Sequence, residues 1–180
     1  RLPMLIVDQD PRLWDRSVFN ARAAAIHGFS ILGKNYHYLL DKKGKIDYDS
    51  LNQFLKKYTA DKFLIFGFTS IINEYLIKKL SNKLINQNFK NGILLHGGGW
   101  KKLEELNLSN KLFKEKLFNK FKLKNIYNYY GMIEQVGSIF IECKCGHFVT
   151  SSFSDVFIRD KNFDILKNGK KGLIQLFSLL

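Results

Sequence analysis

The sequence predicts an α/β protein: a mostly parallel sheet flanked by helices, followed by a smaller β-rich C-terminal portion. Three observations carry this. First, the apolar runs Leu5-Ile6-Val7, Phe63-Leu64-Ile65-Phe66 and Ile93-Leu94-Leu95 each release into a turn and then a helix-like stretch, the pattern of βαβ units. Second, two glycine-centred turns follow strand-like runs: His96-Gly97-Gly98-Gly99-Trp100-Lys101-Lys102, and Tyr129-Tyr130-Gly131-Met132-Ile133-Glu134-Gln135. Third, beyond Glu134 the pattern changes to short β-like runs parted by turn residues. The expected division is therefore 1–135 as the α/β core and 136–180 as a β-rich continuation.

The elements follow in order. Residues 1–7 read as a buried strand ending in the turn Asp8-Gln9-Asp10-Pro11. Ser17 is placed to cap a helix through Phe19, Ala21, Ala23, Ala24 and Ala25 that stops at Gly28. Residues 28–38 are an irregular stretch or a second strand, and Lys42-Lys43-Gly44-Lys45 is a turn. Asp49 or Ser50 caps the next helix, where Leu51, Phe54, Leu55 and Tyr58 share one face. The strand at 63–66 opens through Gly67-Phe68-Thr69-Ser70 into a helix with Ile72, Tyr75, Leu76, Leu80 and Leu84 inward. The strand at 93–95 leads to the glycine triplet and a basic amphipathic helix from Lys101. That helix is recapped at Ser109, with Leu112, Phe113, Leu117, Phe118 and Phe121 inward. A strand at 124–128 precedes the second glycine turn. Then 136–142, 147–150, 156–159 and 173–177 read as strands, parted by turns at Lys144-Cys145-Gly146, Lys161-Asn162 and Asn168-Gly169-Lys170.

Composition bounds the function classes. With 180 residues and 46% hydrophobic content the chain can bury one good core and an appendage, and it is not a disordered tail. No apolar run reaches the roughly 18 residues of a membrane helix, and no signal-peptide pattern opens the chain. Two cysteines are too few for a disulfide framework, so a reducing cytoplasm is the expected compartment. The chain opens directly into a strand and closes on the apolar run 173–180, which reads as an internal piece of a longer enzyme. The net charge is +13, but only five of the 29 basic residues are arginine. Specific nucleic-acid sites favour arginine for its bidentate geometry. Lysines scattered over helix faces read as a solvated surface, with no dedicated nucleic-acid site.

Strand ends that release into glycine turns form the crevice where open α/β folds bind nucleotides. Gly97, Gly98 and Gly99 would let backbone approach a flat ligand closely, or would form a mere tight turn. Trp100 reads as a packing residue. Glu134, by itself, reads as a surface acid at a helix start. Phe68 and Thr69 could line a substrate pocket or face the nucleotide; equally, Thr69 or Ser70 could cap the following helix. Cys143-Lys144-Cys145-Gly146-His147 offers three soft ligands, and zinc would need a fourth. Its readings are a β-turn with free thiols, a zinc site or a catalytic thiol.

Tyr130-Gly131-Met132-Ile133-Glu134 resembles the Tyr-Gly-x-Thr-Glu signature of adenylate-forming enzymes. Together with Phe66-Gly67-Phe68-Thr69 and His96-Gly97-Gly98-Gly99-Trp100-Lys101-Lys102 it resembles the LuxE-type acyl-protein synthetases, the fatty-acid-activating components of bacterial fatty acid reductases. That resemblance implies an ATP- and Mg²⁺-dependent ligase of the adenylate-forming fold. It would activate a carboxylic (fatty) acid as acyl-AMP and pass the acyl group to a protein cysteine for a reductase partner. It also implies that Gly97, Gly98 and Gly99 lie along adenine, that Tyr130 stands against adenine with Gly131, Met132 and Ile133 also cofactor-binding, and that Glu134 is the catalytic, metal-side acid. Ile133 departs from the threonine of many relatives and leaves a phosphate contact unassigned. The phosphate loop would precede Arg1, and the ribose-binding segment and lid domain would follow Leu180, so this piece would not turn over by itself. A phenylacetate-type acyl-CoA ligase shares the motifs. A non-catalytic basic binding module on a nucleotide fold is the alternative of another class.

Overall fold

The computed structural model describes residues 1–15, 20–81, 83, 89–98, 100, 108–131 and 137–179. The chain divides into two compact units, Arg1–Tyr127 and Asn128–Leu180.

The first unit is built on strands β1 (Leu2–Ile6), β2 (Gly33–Tyr38), β3 (Phe63–Phe68) and β4 (Gly92–Gly97), with the opening residues of β5 (Asn125–Tyr130) beside β4. The order is β2-β1-β3-β4, and each of these three pairings is parallel. The connections run through helices α1 (Ala21–Ser30), α2 (Tyr48–Tyr58) and α3 (Thr69–Ile72), the last continuing as a π-helical turn over Asn73–Lys79. Helix α4 (Asn110–Phe121) precedes β5. The predicted βαβ pattern and mostly parallel sheet are thus present.

Each helix has a local cause, and several differ from expectation in their caps. Asn20 caps α1, its Oδ1 accepting from the Arg22 and Ala23 amides; Ser17 lies outside the described residues. The helix does not stop at Gly28. It runs on to Ser30, because glycine inside a helix costs only about 1 kcal/mol and Phe29 gains burial and a stack on Phe66 at 4.7 Å. Asp47, rather than Asp49 or Ser50, caps α2 by accepting from the Ser50 amide at 2.9 Å. Leu51, Phe54, Leu55 and Tyr58 are all buried, as their spacing predicts. Gly67 and Phe68 belong to β3 and not to the turn: a Cβ on Gly67 would stand 3.0 Å from Val7 Cβ and 3.1 Å from Ile72 Cγ1, so glycine admits that close packing. Phe68 takes the N-cap position of α3 and makes no side-chain cap, so neither Thr69 nor Ser70 caps it.

In that helix Ile72, Leu76 and Leu80 are buried and Tyr75 packs against the core; Leu84 and the helix expected from Lys101 lie outside the described residues. Ser109 caps α4 as predicted, its hydroxyl accepting from the Leu112 amide. Phe113, Leu117 and Phe121, spaced four apart, form its buried stripe. Leu112 and Phe118, expected inward, are 38% and 40% exposed, because a 100° step per residue carries them to the flanks.

The second unit holds the end of β5, then β6 (Phe140–Glu142) and β7 (Phe148–Val149), paired antiparallel. Strands β8 (Ser154–Arg159) and β9 (Leu173–Ser178) form a separate antiparallel pair. The strand expected from Val136 begins, among the described residues, at Phe140. Cys143 and Cys145 occupy a turn in which Cys143 N donates to His147 O at 2.7 Å and Gly146 N donates to Cys143 O at 3.0 Å; both thiols are free. Among the described residues no helix is long and apolar enough to cross a membrane.

Candidate nucleotide-binding site

In the first unit the site starts from two strand ends. Strands β3 and β4 run in register from Phe63 beside Gly92 to Phe68 beside Gly97, so Phe68 and Gly97 leave the sheet together at its carboxyl edge. Gly97 is the buried last residue of β4; it lies in the strand rather than in the turn. Gly98 is exposed, with a left-handed φ of 65°. A Cβ on it would stand 3.0 Å from Phe68 Cδ1. Backbone dihedral and neighbouring ring thus both call for glycine at 98.

Behind this turn lies a polar pair inside the core. His96 and Thr69 have no exposed surface, and Thr69 Oγ1 is 3.0 Å from His96 Nδ1. The Thr69 hydroxyl is therefore engaged by an interior histidine. His96 packs on Phe113 at 4.7 Å and Trp100 at 6.0 Å, and Trp100 meets Phe113 at 5.9 Å. Trp100 is thus a packing residue, as its sequence context implies. Burial, with a smaller contribution from the Lys114 charge, lowers the His96 pKa to about 3, so the imidazole is neutral.

The carboxyl end of β1 carries a buried charge. Asp8 is 1% exposed and accepts from Arg22 Nε at 3.1 Å, Arg22 Nη2 at 2.5 Å and the Gln9 amide at 2.8 Å. The Arg22 guanidinium lies 5.1 Å over Trp14. Neither this ion pair nor the His96–Thr69 pair is apparent in the sequence. Their one signal is a polar residue placed against an apolar strand run.

In the second unit Tyr130 ends β5, 42% exposed, with its ring 6.3 Å from Phe140 and 6.1 Å from Phe148. Burial pushes the Tyr129 phenol up to about 12. At Gly131 an added Cβ would meet, among the described residues, Ser138 O at 3.5 Å and Ile139 Cγ1 at 4.0 Å, both ordinary contacts. Glu142, not singled out in the sequence, is 4% exposed, and its Oε2 accepts from the Asn128 amide at 3.0 Å. Strand alternation, with Phe140 and Glu142 in and Ile141 out, is the signal that would have found it.

Gly99, Met132, Ile133 and Glu134 lie outside the described residues. Among the described residues no three His, Cys, Asp or Glu side chains come together as a metal site. The Cys143 thiol is held below its ordinary pKa by hydrogen bonding from the His147 backbone.

The fold is that of the adenylate-forming synthetases. The amide bond synthetase McbA from Marinactinospora thermotolerans superposes with a TM-score of 0.54 at 12% identity, covering 98% of this chain and 32% of that one. The N-terminal subdomain of Klebsiella oxytoca NpsA, in complex with 3-hydroxyanthranilyl-AMSN, superposes with a TM-score of 0.50 at 12% identity, covering 98% and 40%. At these identities the likeness is one of fold. The particular family follows from sequence: the chain matches the acyl-protein synthetases, LuxE, over residues 1–180, and it belongs to that family. No curated protein matches it by sequence. The chain spans about a third of the length of the solved McbA chain.

Proposed function

We propose that this chain is the adenine-side part of an enzyme that activates a carboxylic acid with ATP. Acid and ATP give acyl-AMP and pyrophosphate. The acyl group then passes to a protein cysteine, releasing AMP, and the thioester feeds a reductase partner; a fatty acid is the substrate class. The family match over the whole chain supports this, and so does the exposed, left-handed Gly98 at the carboxyl edge beside Phe68. In this reading Gly97, Gly98 and Gly99 lie along adenine. Tyr130, Gly131, Met132 and Ile133 are further cofactor-binding residues, and Phe68 and Thr69 are the substrate-side residues. Glu134 would hold Mg²⁺, which supplies positive charge against the phosphates when bound. Residues 1–135 would carry the nucleotide core and 136–180 its β-rich continuation.

The test is acid-dependent exchange of labelled pyrophosphate into ATP, run on the enzyme that contains this chain. Glu134→Gln keeps the size and removes the charge. Loss of one transition-state charge contact costs on the order of 3 kcal/mol, so exchange should drop about a hundredfold with an unchanged melting temperature. Undiminished exchange in the variant would remove Glu134 from the mechanism. Absence of exchange in the wild type with any acid would sink the proposal.

A further inference from the structure

Helix α4 has a face the core does not use. It carries Lys111, Lys114, Lys116 and Lys120 against one acid, Glu115, and Lys122 and Lys124 follow it. Lys120 turns inward: its Nζ donates to Leu76 O at 2.9 Å and Ile77 O at 2.7 Å, and burial lowers its pKa. Lys114 and Lys124 border an apolar patch. Because Phe113, Leu117 and Phe121 take the core side, Phe118 is turned out, 40% exposed. With Leu123 and Ile126 it lines a groove of about 300 Å³ whose wall also holds Lys114, Lys124, Asn119 and one acid, Glu115. Lys122 Nζ lies 5.6 Å over the Phe118 ring.

The groove sits at the amino edge of the sheet. Leu123 Cδ1 would be 3.1 Å from a Cβ on Gly92, the first residue of β4, whereas Gly98 follows the other end of that strand. Parallel α/β sheets place their ligand crevice at the carboxyl edge. This groove is therefore separate from the nucleotide reading and does not depend on it.

We propose that the groove docks an acidic polypeptide segment of a partner protein. One large aliphatic or aromatic side chain would seat on Phe118, and flanking carboxylates would meet Lys111, Lys114, Lys122 and Lys124. Charge complementarity selects this occupant. A second copy of a chain carrying +13 would be repelled. An anionic membrane asks for a broad apolar face, and α4 exposes only two large apolar side chains, Leu112 and Phe118. Nucleic-acid sites favour arginine forks, and the cations at this groove are all lysine. An amphipathic acidic helix, with one anchor and carboxylates to either side, matches both the floor and the rim.

The test titrates the chain with a labelled synthetic helical peptide bearing leucine among glutamates. The comparisons are the same peptide with lysine for glutamate, vesicles of equal parts phosphatidylserine and phosphatidylcholine, and a single-stranded oligonucleotide. The glutamate peptide should bind and the lysine peptide should not. The double variant Lys114→Glu, Lys124→Glu should weaken binding about tenfold or more, and Phe118→Ala about tenfold, as anchor residues do. Both variants keep the buried stripe intact and should melt as wild type does. Nuclear magnetic resonance shifts on peptide addition should centre on Phe118 and Leu123. The proposal fails if the glutamate peptide does not bind, if its binding is unchanged in the folded variants, or if only vesicles or oligonucleotide bind.

Discussion

At position 98 a left-handed dihedral and the Phe68 ring make the same demand on one residue, whereas at 131 no described residue objects to a methyl group. The two glycines should therefore separate in experiment. Gly98→Ala should lower stability by about 1–3 kcal/mol, seen as an earlier denaturant midpoint. Gly131→Ala should stay within about 0.5 kcal/mol of wild type and yet weaken ATP binding in calorimetry, because its added methyl would meet the ligand. A Gly131→Ala protein that binds ATP as well as wild type would take that turn out of the proposed adenine wall. His96 carries a second residue-scale prediction. Folded, it stays neutral down to about pH 3; unfolded, it protonates near 6.5. Below pH 6.5 the unfolded chain therefore binds the extra proton, so stability present above 6.5 is lost as pH falls towards 3. His96→Leu removes that titration, and its thermal stability should fall less steeply than wild type across this window. Parallel slopes would show that His96 is not the source.

At the scale of elements, periodicity decided what is inside and geometry decided which of several apolar residues won. Helix α4 has five large apolar side chains, and its core stripe takes the three spaced four apart. Leu117→Ala should accordingly cost about 2–5 kcal/mol, the usual range for a buried leucine. Leu112→Ala should stay within about 0.5 kcal/mol, as for other surface changes. Equal losses in chemical denaturation would contradict the rotation of the helix. In the same way α1 passes through Gly28 because the packing of Phe29 on Phe66 outweighs a local preference of about 1 kcal/mol. The carbonyls of Leu76 and Ile77, at the π-helical turn where the regular ladder is disturbed, accept from Lys120.

At the scale of the whole molecule the dominant quantity is charge. A chain at +13 attracts any polyanion at low ionic strength. Binding of nucleic acid should be weak, indifferent to sequence and steeply lost between about 50 and 200 mM salt, because it comes from counterion release alone. Gel-shift titrations with unrelated oligonucleotides at both salts check this; sequence-selective binding that persists at the higher salt would overturn it. The second unit shows the limit of composition as a guide. In its β8–β9 pair Leu173, Ile174 and Phe177 are more than half exposed, so apolar content there is no measure of a core.

The βαβ pattern, the buried face of α2, the cap at Ser109 and the packing role of Trp100 were all determined by the sequence itself. Each rests on residues within a few positions of one another, where a period of two or 3.6 is written directly into the chain. The glycine at the end of β4 was legible for the same reason, although that local reading put Gly97 outside β4. What only the tertiary structure decided depends on which strands are neighbours. Thr69 reaches His96 because β3 and β4 are parallel with Phe68 beside Gly97. Asp8 is buried because α1 brings Arg22 back to the end of β1. Lys120 turns inward because the π-helical turn offers it two carbonyls. The free energy of such contacts comes from burial and polar pairing between segments far apart in the chain, and no local period encodes it.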